Sequence, residues 1–274
     1  KLSCKTRAIF LIHVLGIPAN MHKVTTFSKK NNLILLEDCC ESLGAKFNSQ
    51  HVGTFGSGGT FSFFFSHHIS TMEGGAVITN CEKHANDLRS MRAHGWIRDR
   101  SDKEEIETKN TDNNVDSRWL FVLPGFNLRP TELQGAIGQV QLLKLSKYIQ
   151  DRKFIADKVA IIISEIDFLE VIGHNLTEKM FDKTWMNVPI RVRQNTIATK
   201  QQIVSIFEEN GFETRPIIAG NFCLHPAGAL LNNGKDFPET QQLHDQGFMI
   251  SAFTDNVNYY LKLLSQVKEK ICQL

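Results

Sequence analysis

The chain predicts an α/β fold, with a mostly parallel sheet in a large N-terminal domain followed by a smaller α/β domain. Three observations predict it. Arg7 to Val14 (RAIFLIHV) and Leu33 to Glu37 (LILLE) are continuous apolar runs rich in branched residues, as expected of parallel strands covered on both faces. Between them, Met21 to Lys30 has the spacing of an amphipathic helix, which makes a strand, helix, strand crossover. Beyond Phe168, strand-like and helix-like segments alternate to the end of the chain.

In order along the chain, Gly16, Pro18 and Asn20 turn the first strand into the helix, and the second strand ends at Asp38. Ligands of open α/β sheets collect at the carboxyl ends of strands, so Asp38 is a candidate site residue. Ala45 to Thr54 reads as a hairpin turned at Gly53. Thr60 to Phe65 is a further strand, followed at once by His67, His68 and the pair Gly74 and Gly75, and Ala76 to Thr79 is the next. A helix over Glu82 to Ala93 leads into Arg98 to Arg118, which is nearly all polar and is expected to be a mobile surface loop. Pro130 and Glu132 mark a helix start, with apolar Leu133, Ile137 and Val140 behind them, and a second long helix is expected from Ser146 to Ile166. The domains are therefore expected at 1–145 and 146–274. The second holds strands at Trp185 to Val192, Glu213 to Ile217 and Phe248 to Ile250, with helices at Lys200 to Asn210 and Asn256 to Cys272.

Composition narrows the function. With 42% apolar and 22% charged residues the chain can bury a sizeable core, and its net charge of +2 comes from scattered basic residues rather than a nucleic-acid footprint. The six cysteines form no CxxC pair, which suits reduced thiols in a cytoplasmic setting and no metal centre. No apolar run approaches the ~20 residues of a membrane span, and Leu2 to Val14 reads as a strand rather than a signal peptide.

Asp38 is either a turn or cap residue or a carboxylate able to hold the protonated ring nitrogen of pyridoxal phosphate. The series HVLGIPANM, LLEDCCESLGA, GTFGSGGTFSFFFSHH, GGAVIT, GFNLRPTELQGAIG and ETRPIIAGN resembles the DegT/DnrJ/EryC1/StrS sugar aminotransferases, which are fold type I pyridoxal phosphate enzymes. The resemblance covers nearly the whole chain in order. It implies that Asp38 partners the pyridine nitrogen, that Glu41 stands where the family has a glutamine near the ring, and that Ser62 binds the cofactor phosphate. It further implies a homodimer in which Asn127 reaches the neighbouring subunit's phosphate. Arg129 and Arg215 are expected to meet carboxylate or sugar-nucleotide oxygens, since a guanidinium binds anions through two parallel hydrogen bonds. His13 falls near the site by the same pattern, or is a histidine satisfied in the core. Family members also begin well before the position of Lys1, so the N-terminal part of the family fold is expected to be absent from these residues.

The departure is informative. Where the aminotransferases carry the lysine that anchors the cofactor, this chain has His67. Imidazole cannot hold the cofactor covalently but can move protons near neutral pH. The exchange, with the His67 and His68 pair and the later Gly74 and Gly75, resembles the nucleotide-sugar 3-dehydratases of the family, which act in deoxysugar and lipopolysaccharide biosynthesis. That resemblance implies noncovalent pyridoxamine 5′-phosphate, a nucleotide-linked 4-keto-6-deoxyhexose as substrate, His67 as the base, and loss of the C3 hydroxyl. His68 either assists at the substrate or orients its neighbour. The segment HGWIRDRSDKEE lacks cysteine, so the iron-sulfur branch is disfavoured and L-glutamate is the expected amino donor. Two alternatives stay open: an aminotransferase that uses another lysine, and a catalytically degenerate homologue.

Overall fold

In the computed structural model the first apolar run becomes strand β1 (Ala8–Ile12), and helix α1 (Met21–Lys30) carries the chain to β2 (Ile34–Asp38). The described residues are 2–110, 115–177, 179–194, 196–230 and 237–274. The Asn20 side chain accepts from the Lys23 amide to cap α1, and Lys29 and Lys30 sit against the negative end of its dipole. Short strands β3 (Lys46–Phe47) and β4 (Gln50–His51) follow, then β5 (Gly58–Ser62) and β6 (Gly75–Ile78). The reversal between β3 and β4 falls at Asn48 and Ser49, both in the left-handed region (φ 47 and 66), and not at Gly53 as expected.

Helix α2 (Glu82–Met91) is as expected, but the polar stretch after it is no open loop: Lys103–Lys109 forms helix α3. It buries no side chain fully, and ion pairs one turn apart, Lys103 with Glu107 and Glu105 with Lys109, support it. Residues 111–114 of that stretch lie outside the described residues. The two helices expected after Pro130 are one continuous helix, α4 (Glu132–Ile163).

The chain divides into two units: Lys1–His13, Ala19–Cys40 and Gln50–Lys144 form the first, and Val14–Pro18, Glu41–Ser49 and Leu145–Leu274 the second. The sheet of the first unit has the order β1-β2-β5-β6, with β1, β2 and β5 parallel and β6 antiparallel. Gly56 lets the segment before β5 lie against β2, because a Cβ there would stand 2.2 Å from the Leu35 carbonyl oxygen. Alternation along the strands sends Leu35 and Glu37 inward. It leaves Phe10 (61% exposed), Ile12, Ile34, Leu36 and Val77 exposed on the other face. Among the described residues none covers this second face.

The second unit continues with β7 (Leu169–Val171), β8 (Phe181–Asp182), β9 (Asn187–Val192), α5 (Lys200–Glu209), α6 (Pro238–Gln246), β10 (Gly247–Ser251) and α7 (Val257–Ile271). Its antiparallel sheet has the order β10-β9-β7, and β3 pairs with β8. The residues expected as a strand at Glu213 to Ile217 make a single bridge, between Arg215 and Met249. Ile155, Val159 and Ile163 of α4 pack with Val188, Ile190, Phe207, Phe248 and Leu264 in a core of fully buried side chains. Leu15 and Gly16 enter this unit on left-handed backbone, and their carbonyls accept from the Met186 and Thr184 amides. Lys183 is 2% exposed, and its Nζ donates to the carbonyls of Gly173 (3.2 Å) and Leu176 (2.9 Å) while lying over the Trp185 ring. Among the described residues no helix is long and apolar enough to cross a membrane.

Candidate active site

Because β1, β2 and β5 run parallel, their carboxyl ends open on one edge of the first unit's sheet. That edge carries Asp38 as the last residue of β2 and Ser62 as the last residue of β5, with His67 on the loop that follows. Asp38 is in register with Ile12 on one side and Thr60 on the other. Its Oδ1 accepts from the Cys40 amide at 3.0 Å, and among the described residues Oδ2 carries no hydrogen bond. Ser62 Oγ accepts from the Phe64 amide at 3.2 Å, which leaves the hydroxyl hydrogen to donate.

The loop holding His67 is closed at its base by backbone bonds, Phe63 donating to Gly74 at 2.9 Å and Thr71 to Phe63 at 2.8 Å. His67 turns on its own amide, which donates to the Phe64 carbonyl at 3.0 Å. Its half-buried ring meets that of Phe64 edge-on at 6.0 Å between centroids. His68 points inward and is 3% exposed. That burial favours the second of its two readings, a residue that orients its neighbour.

Just behind the edge lies a polar cluster. His13 and Glu37 are fully buried, and Nε2 of His13 donates to Glu37 Oε2 at 3.1 Å. The Ala19 amide donates to His13 Nδ1 at 3.1 Å, so the ring hydrogen sits on Nε2. The amides of Gly53 (2.8 Å), Phe55 (2.7 Å) and Gly56 (2.8 Å) donate to the same carboxylate. Burial alone pushes the Glu37 carboxyl up, but the His13 and backbone hydrogen bonds outweigh it and hold the group below its ordinary value. Cys39, beside them, is pushed up, by burial first and by the charges of Glu37 and Asp38 second, and stays a thiol. Ligand atoms of His13, Glu37 and Cys39 lie within 4.8 Å of one another, yet the hydrogen bonds of His13 and Glu37 occupy the lone pairs a cation would take. Both ring nitrogens of His13 are thus engaged within the protein, which favours the core reading of the two. Sequence reasoning missed Glu37. Its donors come from positions far along the chain, and the spacing of Gly53 and Gly56 was the one signal available.

Asn127 and Arg129 are exposed in the first unit, where Asn127 bridges to Ala93. Glu41 and Arg215 belong to the second unit. Glu41 Oε2 accepts from the Leu15 amide at 2.7 Å, and the exposed Arg215 guanidinium is paired with Glu213 through Nε at 3.0 Å.

The model of the DegT/DnrJ/EryC1/StrS aminotransferase family matches residues 1–256. GDP-4-keto-6-deoxy-D-mannose 3-dehydratase of Escherichia coli O55:H7 is 37% identical over 217 residues, which is 79% of this chain and 55% of that protein. The chain thus spans about half the length of the curated relatives it matches. A crystal structure of GDP-4-keto-6-deoxymannose 3-dehydratase with a trapped PLP-glutamate adduct superposes with a TM-score of 0.82 at 29% identity, over 98% of this chain and 68% of that one. A variant of that enzyme, in which a histidine and the serine before it are replaced by lysine and asparagine, gives a TM-score of 0.84 at 31% identity, over 96% of this chain and 70% of that one.

Proposed function

The chain belongs to the DegT/DnrJ/EryC1/StrS aminotransferase family, and from that premise we propose that it removes the C3 hydroxyl of a nucleotide-linked 4-keto-6-deoxyhexose, using pyridoxamine 5′-phosphate and L-glutamate. One observation carries the reading: the loop leaving β5 presents an imidazole, His67, on the edge where β2 ends in Asp38, and no lysine lies on that loop. The adjacent serine and histidine changed in the related crystal structure are the same residue types as Ser66 and His67 here.

The residues fit the cofactor in kind. Asp38 offers a carboxylate oxygen with no described hydrogen bond, which suits a protonated ring nitrogen. Ser62 has a hydroxyl hydrogen to give a phosphate. Bound there, vitamin B6 supplies an electron sink that lets a C3 hydroxyl depart from the carbon beside a ketone. Asp38 holds the proton on the ring nitrogen and stabilises developing charge by an electrostatic effect that strengthens as water is excluded. His67 takes a proton from the reacting centre and can return it, a contribution of typically 10²- to 10⁴-fold. Arg129 and Arg215 serve the diphosphate or the glutamate carboxylates, and Glu41 is proposed to stand near the ring.

A homodimer is proposed in which Asn127 reaches the partner's cofactor. In its favour, Phe126, Leu128, Leu133, Val140, Leu142 and Leu143 of the first unit are all exposed apolar side chains close to it in sequence. A reducing, cytoplasmic setting is proposed on the strength of six free cysteines.

The test incubates the protein with pyridoxamine phosphate, glutamate and a panel of GDP-, CDP- and dTDP-linked 4-keto-6-deoxyhexoses. A 4-keto-3,6-dideoxy product with 2-oxoglutarate and ammonia is expected. An amino sugar, or no turnover and no cofactor binding, would overturn the reading. His67→Lys should add an amine that captures pyridoxal phosphate in a form that borohydride fixes.

A further inference from the structure

We propose that His13 and Glu37 are positioning residues for Asp38, together locking the carboxyl end of β2 so that the Asp38 carboxylate keeps one orientation at the sheet edge. The inference rests on the reading of Asp38 as the acid facing the cofactor ring, and goes beyond it by naming what holds that acid.

Successive residues of a strand point to opposite faces, so Glu37 is the inward-facing neighbour of Asp38. Its two oxygens meet four donors: His13 and Gly53 on Oε2, Phe55 and Gly56 on Oε1. A carboxylate has about four lone-pair sites, so it is saturated and has no alternative geometry to adopt. His13 grips the strand a second time, because its own amide donates to the Asp38 carbonyl at 3.0 Å. Its ring is fixed in turn by the Ala19 amide. On the far side the Cys39 amide donates to the Thr60 carbonyl at 2.9 Å, and the Cys40 amide meets Asp38 Oδ1. Tilting the backbone at Asp38 therefore requires breaking bonds on both flanks, and turning its side chain requires losing the bond from the Cys40 amide. A charged acid is a poor choice where only stability is wanted, since replacing buried ionic groups by well-packed apolar ones is often neutral or stabilising. A saturated carboxylate next in sequence to the site acid serves orientation instead.

The full 274-residue chain is compared with His13→Leu, which removes both ring contacts, and His13→Gln, whose amide can both donate and accept. Amide hydrogen exchange is followed without cofactor at Cys40, at Gly53, Phe55 and Gly56, and at Ile190 in the second unit's sheet. Pyridoxamine phosphate is titrated separately, with its ring absorbance recorded. His13→Leu is expected to lose protection at Cys40 and to bind pyridoxamine phosphate about 10- to 100-fold more weakly with an altered ring band, Ile190 staying protected and His13→Gln restoring both. Should His13→Leu fail to fold, Glu37→Asp, one methylene too short to meet all four donors, is read by the same criteria. Two outcomes overturn the inference: Cys40 protected as in the unaltered chain, or Cys40 and Ile190 losing protection together as in general destabilisation. If the unaltered chain binds no cofactor, the functional reading falls while the exchange at Cys40 still decides the role of the pair.

Discussion

The sheet of the second unit buries Val188, Ile190, Phe248 and Ile250 almost completely, whereas that of the first leaves Phe10, Ile12, Ile34, Leu36 and Val77 on an exposed face. Yet it is the first sheet whose strand ends carry Asp38, Ser62 and the loop of His67. Burying a large apolar side chain is worth roughly 1.5–3 kcal/mol, and no described residue supplies that contribution on the exposed face of the first sheet. The first unit holds its edge with polar bonds instead, chiefly those of Glu37 and His13. The second unit is ordered by packing, and the first is ordered where chemistry is proposed by directional hydrogen bonds.

The comparison breaks if the two kinds of order respond alike to substitution. His67→Asn should lower turnover on the nucleotide sugar by about 10²- to 10⁴-fold while the urea midpoint of unfolding hardly moves, since the ring is half exposed. Phe207→Ala, in the core of the second unit, should cost about 3–5 kcal/mol by denaturant unfolding, with turnover per folded molecule unchanged. Glu37 sets a pH dependence. Its folded value lies below that of an ordinary glutamate, so its stabilisation is complete above the ordinary value and is lost as the pH falls toward the lowered one. Glu37→Gln should flatten this part of the acid unfolding curve. The smallest effect is expected of Phe10→Ser, under about 0.5 kcal/mol for an exposed site. A loss above about 2 kcal/mol there would mean that the face is covered in solution.

How much of this was legible in the sequence follows from what each element depends on. Helix α1 was readable because Asn20 caps it and lysines end it, both local signals. Helix α3 was not, because a helix held by ion pairs with no apolar stripe looks like loop. In α4 the apolar residues change from exposed Leu133, Leu142 and Leu143 to buried Ile155, Val159 and Ile163, and the change of pattern reads as a break that the backbone does not make. The runs around Phe10 and Ile34 read as strands covered on both faces, and apolar content alone does not name what lies on the face that no described residue covers. In the candidate site, Asp38, Ser62 and His67 are singled out by motif and resemblance; β2 and β5 end in the first two on one edge, and His67 lies on the loop that follows. Their bonds to a cofactor remain proposals. Glu37 was passed over since a Glu and an Asp in succession look like one acidic strand end, and only the fold brings it the amides of Gly53, Phe55 and Gly56. His13 and His68 each kept two readings for one reason: a sequence names a histidine without saying what its nitrogens meet, and only the fold shows both nitrogens of His13 engaged within the protein.

The lysine at 183 has a consequence for how such a chain can change. An amine gripped by backbone carbonyls and roofed by an indole would have to abandon those partners before it could attack an aldehyde. The second unit therefore keeps no spare nucleophile in Lys183, and if an anchoring amine is ever regained along this lineage, the side chain at 67 is where a single replacement would restore it.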